Sequence, residues 1–170
     1  SGRGVFSLNT DGCSKGNPGM SGGGGILRDS NGQVLVAFSA SLGVNTSLHA
    51  EALALLTRLR VCFQQGFVQV RVQTDSLVLV DILQRRFQCP WLIRREVHQI
   101  WQLVANPIHF SHCFREANKV ADILANVGIL HPQDHVRVYN QLCSLPQLAR
   151  GKVRLNMLGF TSIRLIKGLS

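Results

Sequence analysis

None of the five cysteines stands in a Cys-x-x-Cys pair; Cys13, Cys62, Cys89, Cys113 and Cys143 are odd in number and widely spread. Zinc-ligand spacing is missing and no disulfide framework is indicated, so a reducing, intracellular compartment is the expectation, nuclear or cytoplasmic. The chain shows no signal-peptide pattern and no apolar run long enough to span a bilayer, so a membrane is not among the expected partners. Internal repeats and low-complexity tracts are absent as well. Acids are scarce: nine Asp and Glu stand against 18 Lys and Arg, a formal charge of +9.

What is present suffices for one core. In 170 residues, 45% are apolar, enough to fold without disulfides. The positive excess would attract nucleic acid, an acidic protein or an anionic surface, and charge alone does not choose among them. It is uneven, since residues 131–170 hold six bases and one acid. We therefore divide the chain into a body, residues 1–130, and a basic C-terminal extension, residues 131–170.

Hydrophobic periodicity orders the body. Residues 5–10 read as a strand with Phe6 and Leu8 on one face, ending at an Asp11-Gly12 turn. Residues 22–27 and 34–39 flank an Asn31-Gly32 hairpin signal. From residue 48 to 64 Leu48, Ala52, Leu55, Leu59 and Cys62 recur at helical spacing, and Gly66 ends the run. Val68, Val70 and Val72 alternate in a strand leading to Asp75. Helices are expected over 76–83 and 91–104, a strand around Ile108, Phe110, His112 and Phe114, and a helix over 117–127. The order β-β-β-α-β-α-α-β-α predicts an α/β fold with a five-stranded mixed sheet, its first three strands antiparallel, flanked by helices. Beyond Gly128 the pattern weakens, with a short helix expected over 136–145.

Four acids sit at element ends or on the wrong face. Glu51 shares the helical stripe of Leu55 and Leu59, where an unpaired carboxylate is costly. Asp11 and Asp75 each close a strand; if those strands are neighbours, both acids lie at one edge. Asp122, just before Ile123, could face the same edge. Each acid has a plain reading too: Asp11 as a turn residue, Asp75 as a helix cap, Asp122 as a solvated helix acid. Gathered, they would repel one another unless divalent cations joined them, and hard oxygen donors suit Mg²⁺.

The blocks "NTDGCSKGNPGMSGGGGILRDSNG", "LHAEALALLTRL", "VQTDSLVLVDIL" and "HCFREANKVADILAN" together resemble the ribonuclease H domain, particularly the version at the end of plant non-LTR retroelement polyproteins. The resemblance covers about residues 4 to 128. It implies a ribonuclease H-like fold and a metal-dependent endonuclease that cuts the RNA strand of RNA–DNA hybrids using two Mg²⁺ ions, with Mn²⁺ able to substitute. The family's four metal-binding, catalytic acids match Asp11, Glu51, Asp75 and Asp122. Its substrate-facing positions match Gly12, Cys13 and Asn17, with Ser76 carried alongside them.

The chain also departs from the family pattern. Leu77 stands where many members carry a groove-reading glutamine, and Ser47 and Leu48 stand where an asparagine pair is common. The interval from Asp75 to Asp122 is too short for a basic protrusion, and the family's mobile histidine is absent. Substrate phosphates would then fall to Arg85, Arg86, Arg94 and Arg95, and Arg115 would hold a phosphate or pair with an acid such as Glu116. His112 reads as a core or strand-face residue, and Trp91 and Trp101 as core. In the extension, Arg150, Lys152 and Arg154 would hold substrate or simply solubilise the end. Two other readings stay open: a hybrid- or RNA-binding module of retroelement origin with weak or no nuclease activity, and an interaction role within a larger retroelement-derived protein. A monomer is the default.

Overall fold

The computed structural model describes residues 4–106, 109–115, 118–132 and 135–139, and the backbone of 163–167. Strands β1 (Phe6–Gly16), β2 (Gly19–Arg28) and β3 (Val34–Asn45) form an antiparallel meander; α1 (Ser47–Gln64), β4 (Val70–Thr74), α2 (Leu77–Leu83), α3 (Arg94–Leu103), β5 (Phe110–His112), α4 (Lys119–Gly128), β6 (His135–Tyr139) and β7 (Ile163–Lys167) follow. They build one sheet in the order β5-β4-β1-β2-β3-β6-β7. The β5-β4 and β4-β1 pairs are parallel, and the β1-β2, β2-β3, β3-β6 and β6-β7 pairs antiparallel. The mixed α/β architecture is as the periodicity predicted.

Two local devices set the hairpin and the first helix. Asp29 Oδ1 accepts from the Asn31 and Gln33 amides, each at 2.9 Å, and Gly32 takes φ +80°, so the Asn31-Gly32 turn forms where expected. The Thr46 hydroxyl caps α1 by accepting from the His49 amide at 3.2 Å, and Gly66 at φ +90° lets the chain leave after it. The α1 stripe, with Leu55, Leu59 and Cys62 buried, then packs with α2 and α3 on Leu8, Val70, Val72 and Phe110. Burying each large aliphatic side chain there contributes about 1.5–3 kcal/mol. On the opposite face α4 sets Val120 and Leu124 against Ile26, Ala37 and Tyr139.

Helices lie on both faces of β2, and its glycine run makes this feasible. A Cβ at Gly22 or Gly24 would strike the α4 backbone at Ala125 or Ala121, whereas one at Gly23 would meet Ala54 and Arg58 of α1. Strand alternation thus presents a bare backbone to each helix in turn.

Three expectations need correction. First, β1 does not stop at Asp11-Gly12: ten residue pairs with β2 carry it to Gly16, and the turn is Asn17-Pro18 with a cis peptide bond. What ends near Asp11 is the pairing with β4, whose last pair is Asn9 with Gln73. Second, the sheet has more than five strands. β6 adds a sixth on the free edge of β3 and β7 a seventh beyond it. Third, residues 136–139 belong to that strand and not to a helix; the alternation of Val136 and Val138 with Arg137 has period two, and both valines are buried. The remainder of the expected helix, residues 140–145, lies outside the described residues.

Candidate active site

The parallel register of β1 and β4 pairs Asn9 with Gln73. Continued by two residues on each strand, it sets Asp11 beside Asp75, with both side chains on one face because the strand period is two. The Asp11 carboxyl is buried at 8% exposure and shares a hydrogen bond with Asp75. Glu51 comes from the second turn of α1. That helix approaches closely because Gly12 has no side chain; a Cβ there would collide with the Ala50 carbonyl and the Glu51 amide. Asp122 comes from the first turn of α4.

Asp11 feels the charge of all three other acids. Asp11 is pushed from 3.8 up to about 8, by burial first and then by the charges of Asp75, Asp122 and Glu51. Glu51 is pushed from 4.5 up to about 7 by burial, against a lowering hydrogen bond from Ser76 and a further rise from Asp75. Asp75 and Asp122 also have donors of positive charge or amide protons close by. Asp75 receives Asn118 Nδ2 at 3.3 Å and Arg115 Nε at 3.6 Å; Asp122 receives Lys119 Nζ at 3.3 Å and Asn126 Nδ2 at 3.2 Å. As they stand, no three Asp, Glu, His or Cys side chains among the described residues are gathered tightly enough to hold an ion. In kind the donor set still fits a hard divalent cation: four carboxylates from four segments of the chain, two of them, Asp11 and Glu51, with raised pKa values that a cation would lower.

The remaining candidate residues are distributed unequally. Gly12 is buried against α1, and Cys13 is half-buried on the same strand, its thiol pushed up by burial. Asn17 accepts from the Ser47 amide at 3.1 Å, tying the hairpin tip to the start of α1. Ser76 caps α2 by accepting from the Leu79 amide at 3.3 Å. The arginine cluster is partly engaged within the protein. Arg85 lies over the Trp101 ring at 3.9 Å, and Arg86 pairs with Asp81 at 3.5 Å and with Gln84. Arg94 and Arg95 are exposed on α3. Arg115 meets a site acid, Asp75, in place of the surface acid considered from sequence; Glu116 lies outside the described residues.

Trp101 packs as expected and donates its indole N–H to the Leu83 carbonyl at 3.0 Å. Trp91 does not; it is 80% exposed, since its 3-10 turn (Trp91–Ile93) turns Ile93 inward instead. His112 is an exposed strand-face residue against Phe114. Arg150, Lys152 and Arg154 lie outside the described residues.

Sequence reasoning missed Asn118, which is 1% exposed and donates to the Thr10 carbonyl at 3.0 Å as well as to Asp75. Its position four residues before Asp122, ahead of α4, was the available signal. It also missed Arg58, fully buried in α1 and bonded to the Gly23 carbonyl, because an arginine on an apolar stripe reads as a solvated end.

The chain is similar in sequence and in fold to known proteins. The family model described as reverse transcriptase-like matches residues 9–128. An Arabidopsis thaliana protein named for ribonuclease H is 32% identical over 130 residues, covering 72% of this chain and 20% of its own length. The chain thus spans about a fifth of that relative. RNase H1 of the halophilic archaeon Halobacterium salinarum is similar with TM-score 0.69 and 26% identity, over 74% of this chain and 98% of that one. An RNase H1 isolated from compost, solved in complex with an RNA/DNA hybrid, is similar with TM-score 0.67 and 29% identity, over 73% and 96% of the two chains.

Proposed function

The chain belongs to the reverse transcriptase-like family and has the ribonuclease H-like fold, and from that membership we propose that it hydrolyses the RNA strand of RNA–DNA hybrids with the help of two divalent cations. The observation that carries this reading is the register that sets Asp11 beside Asp75, together with the burial, and after it the neighbouring acid charges, that lift Asp11 to about 8 and Glu51 to about 7. Such a site is under-neutralised by the protein, which is the condition under which carboxylates take up Mg²⁺, or Mn²⁺ in its place. Asp11, Glu51, Asp75 and Asp122 would hold the ions, which when bound supply activation of water and stabilisation of the leaving oxygen.

The protein's own groups have separate tasks. Asn118 orients Asp75 from a buried position, and Gly12 lets α1 bring Glu51 to the strand ends. Arg115 and Lys119 neutralise Asp75 and Asp122 in the metal-free chain; on this reading their charges turn to substrate phosphate when cations take over. Cys13 and Ser76 border the acids, Asn17 stands at the hairpin tip beside the start of α1, and Arg94 and Arg95 supply exposed positive charge for the hybrid backbone. The finer assignment, a domain of plant non-LTR retroelement type within a larger protein, is supported by the Arabidopsis relative and by its much greater length. The four described cysteines, Cys13, Cys62, Cys89 and Cys113, are all free, as suits the intracellular setting proposed with it.

A binding module with little turnover is favoured by one specific feature, the exposed Leu77 where a groove-reading amide would serve. Cleavage of a labelled hybrid by the native chain and by Asp75→Asn, each with Mg²⁺ and with Mn²⁺, decides. Metal-dependent cutting that the substitution abolishes is the expected result. Equal trace cutting by both proteins would leave binding alone.

A further inference from the structure

Among the described residues, the α4 side of the sheet is covered only in part. α4 packs on β2 and on parts of β1 and β3, where Ile26, Val34, Ala37 and Tyr139 meet Val120 and Leu124. Toward β4 and β5 the same face changes character. Phe6, Leu8, Val70, Val72 and Phe110 point into the core under α1–α3, so the alternate residues Ser7, Asn9, Arg71, Gln73 and Ser111 occupy the other side.

Strand register arranges these residues in rows. Ser7 pairs with Arg28 on one side and with Arg71 on the other. The next row holds Asn9 and Gln73, with Ser111 beyond. The row after that is Asp11 beside Asp75. At about 3.3 Å per residue, the arginine row lies roughly 13 Å from the acids along the same strands and on the same face.

A polar open sheet face is ordinary, but this one is shaped and charged. Under the β2-β3 turn, Ser7, Asn9, Arg28, Arg71 and Gln73 line a cavity of about 400 Å³. Asp29 is the acid lining it, and its Oδ1 already accepts two amides of its own turn. Arg28 is half-buried, and a neutral amide oxygen, Asn9 Oδ1 at 2.8 Å, receives its Nη1. Burial alone lowers its pKa, the condition of a cation lacking a counter-charge. Arg71, across Ser7, is exposed. Two guanidiniums facing one cavity, with one carboxylate held by its own turn and otherwise neutral hydrogen-bonding groups, match the charge and donor needs of a phosphodiester.

We propose that this row of Arg28, Ser7 and Arg71, continued by Asn9 and Gln73, is a backbone-binding strip that grips the nucleic-acid strand running away from the acid cluster. The inference rests on the nuclease reading and adds a second contact, remote from the chemistry, on a face other than that of Arg94 and Arg95. With a strand rise near 3.4 Å per nucleotide, the contact falls about four nucleotides from the acids. The strip positions the strand and carries no base specificity.

The test is fluorescence anisotropy of a labelled RNA–DNA hybrid, and of a labelled single-stranded RNA, in EDTA between 50 and 200 mM salt. The proteins are the native chain, Arg71→Ala and Arg71→Glu; Arg71 is exposed, so neither change disturbs the core. The expected result is a salt slope of log K reduced in magnitude by about 0.9 in Arg71→Ala, with weaker binding at 50 mM and a larger loss in Arg71→Glu. Native hybrid binding with an unchanged slope and affinity in both variants overturns the strip while leaving the nuclease reading intact. Binding of single-stranded RNA that depends on Arg71, without hybrid binding, sustains the strip and overturns the hybrid reading. Absence of binding to either probe overturns both.

Discussion

Replacing Asp11 by Asn should stabilise the metal-free protein at pH 8 and leave its stability at pH 4 nearly unchanged. The Asp11 carboxyl is raised from 3.8 to about 8, by burial first and by three neighbouring acids after it. Between those values the folded chain keeps a proton that the unfolded chain has released. Stability is therefore fully present below pH 3.8 and is lost as pH climbs through about 8. The loss is at most about 1.4 kcal/mol per pH unit, a ceiling of about 6 kcal/mol across the window. Water penetration and turning of the side chain reduce it, so Asn should gain ~2–4 kcal/mol at pH 8. For a chain of this length the gain is roughly 4–16 °C in Tm. Thermal unfolding followed by circular dichroism in EDTA at pH 4, 6 and 8, native against Asp11→Asn, measures it directly. Added Mg²⁺ should narrow the gap by stabilising the native chain alone. A variant less stable than the native protein at pH 8, or a difference that fails to shrink toward pH 4, would refute the electrostatic account of the site.

Gly12→Ala should cost about 1–3 kcal/mol in chemical denaturation, because the added methyl meets the Ala50 and Glu51 backbone; cleavage should fall further than stability, and an active variant of native stability would contradict the role given to that close approach. Asn118→Ala should cost about 1–3 kcal/mol by leaving the Thr10 carbonyl without its donor. Because Asn118 also holds Asp75, kcat should drop with little change in KM, and a change in KM alone would show that it serves binding instead.

Much of the fold was legible locally because its signals are local. The Asn31-Gly32 turn, the α1 stripe ending at Gly66 and the valines Val70 and Val72 of β4 each depend on a few adjacent residues, and each appears where periodicity predicts; Val68, read into the same strand, lies outside β4 and is 64% exposed. Two of the misreadings share one cause, long-range pairing. Asp11-Gly12 has the composition of a turn, yet continued pairing with β2 keeps it extended. Residues 135–139 alternate as a strand, but the strand is recognisable only beside the open edge of β3, about 100 residues earlier in the chain. Trp91 has the composition of a core residue and is exposed, because the adjacent Ile93 takes the inward direction.

By itself the sequence determined the element order, the positive charge and the identity of four acids standing at element ends or on an apolar stripe, all of which follow from residue type and spacing. Only the tertiary structure decided that Asp11 adjoins Asp75, that Asp75 and Asp122 are answered by Arg115 and Lys119, and that Arg28 and Arg71 flank one serine. Each of these depends on strand register or helix docking, set by the packing of both sheet faces at once and not by the chemistry of neighbouring residues.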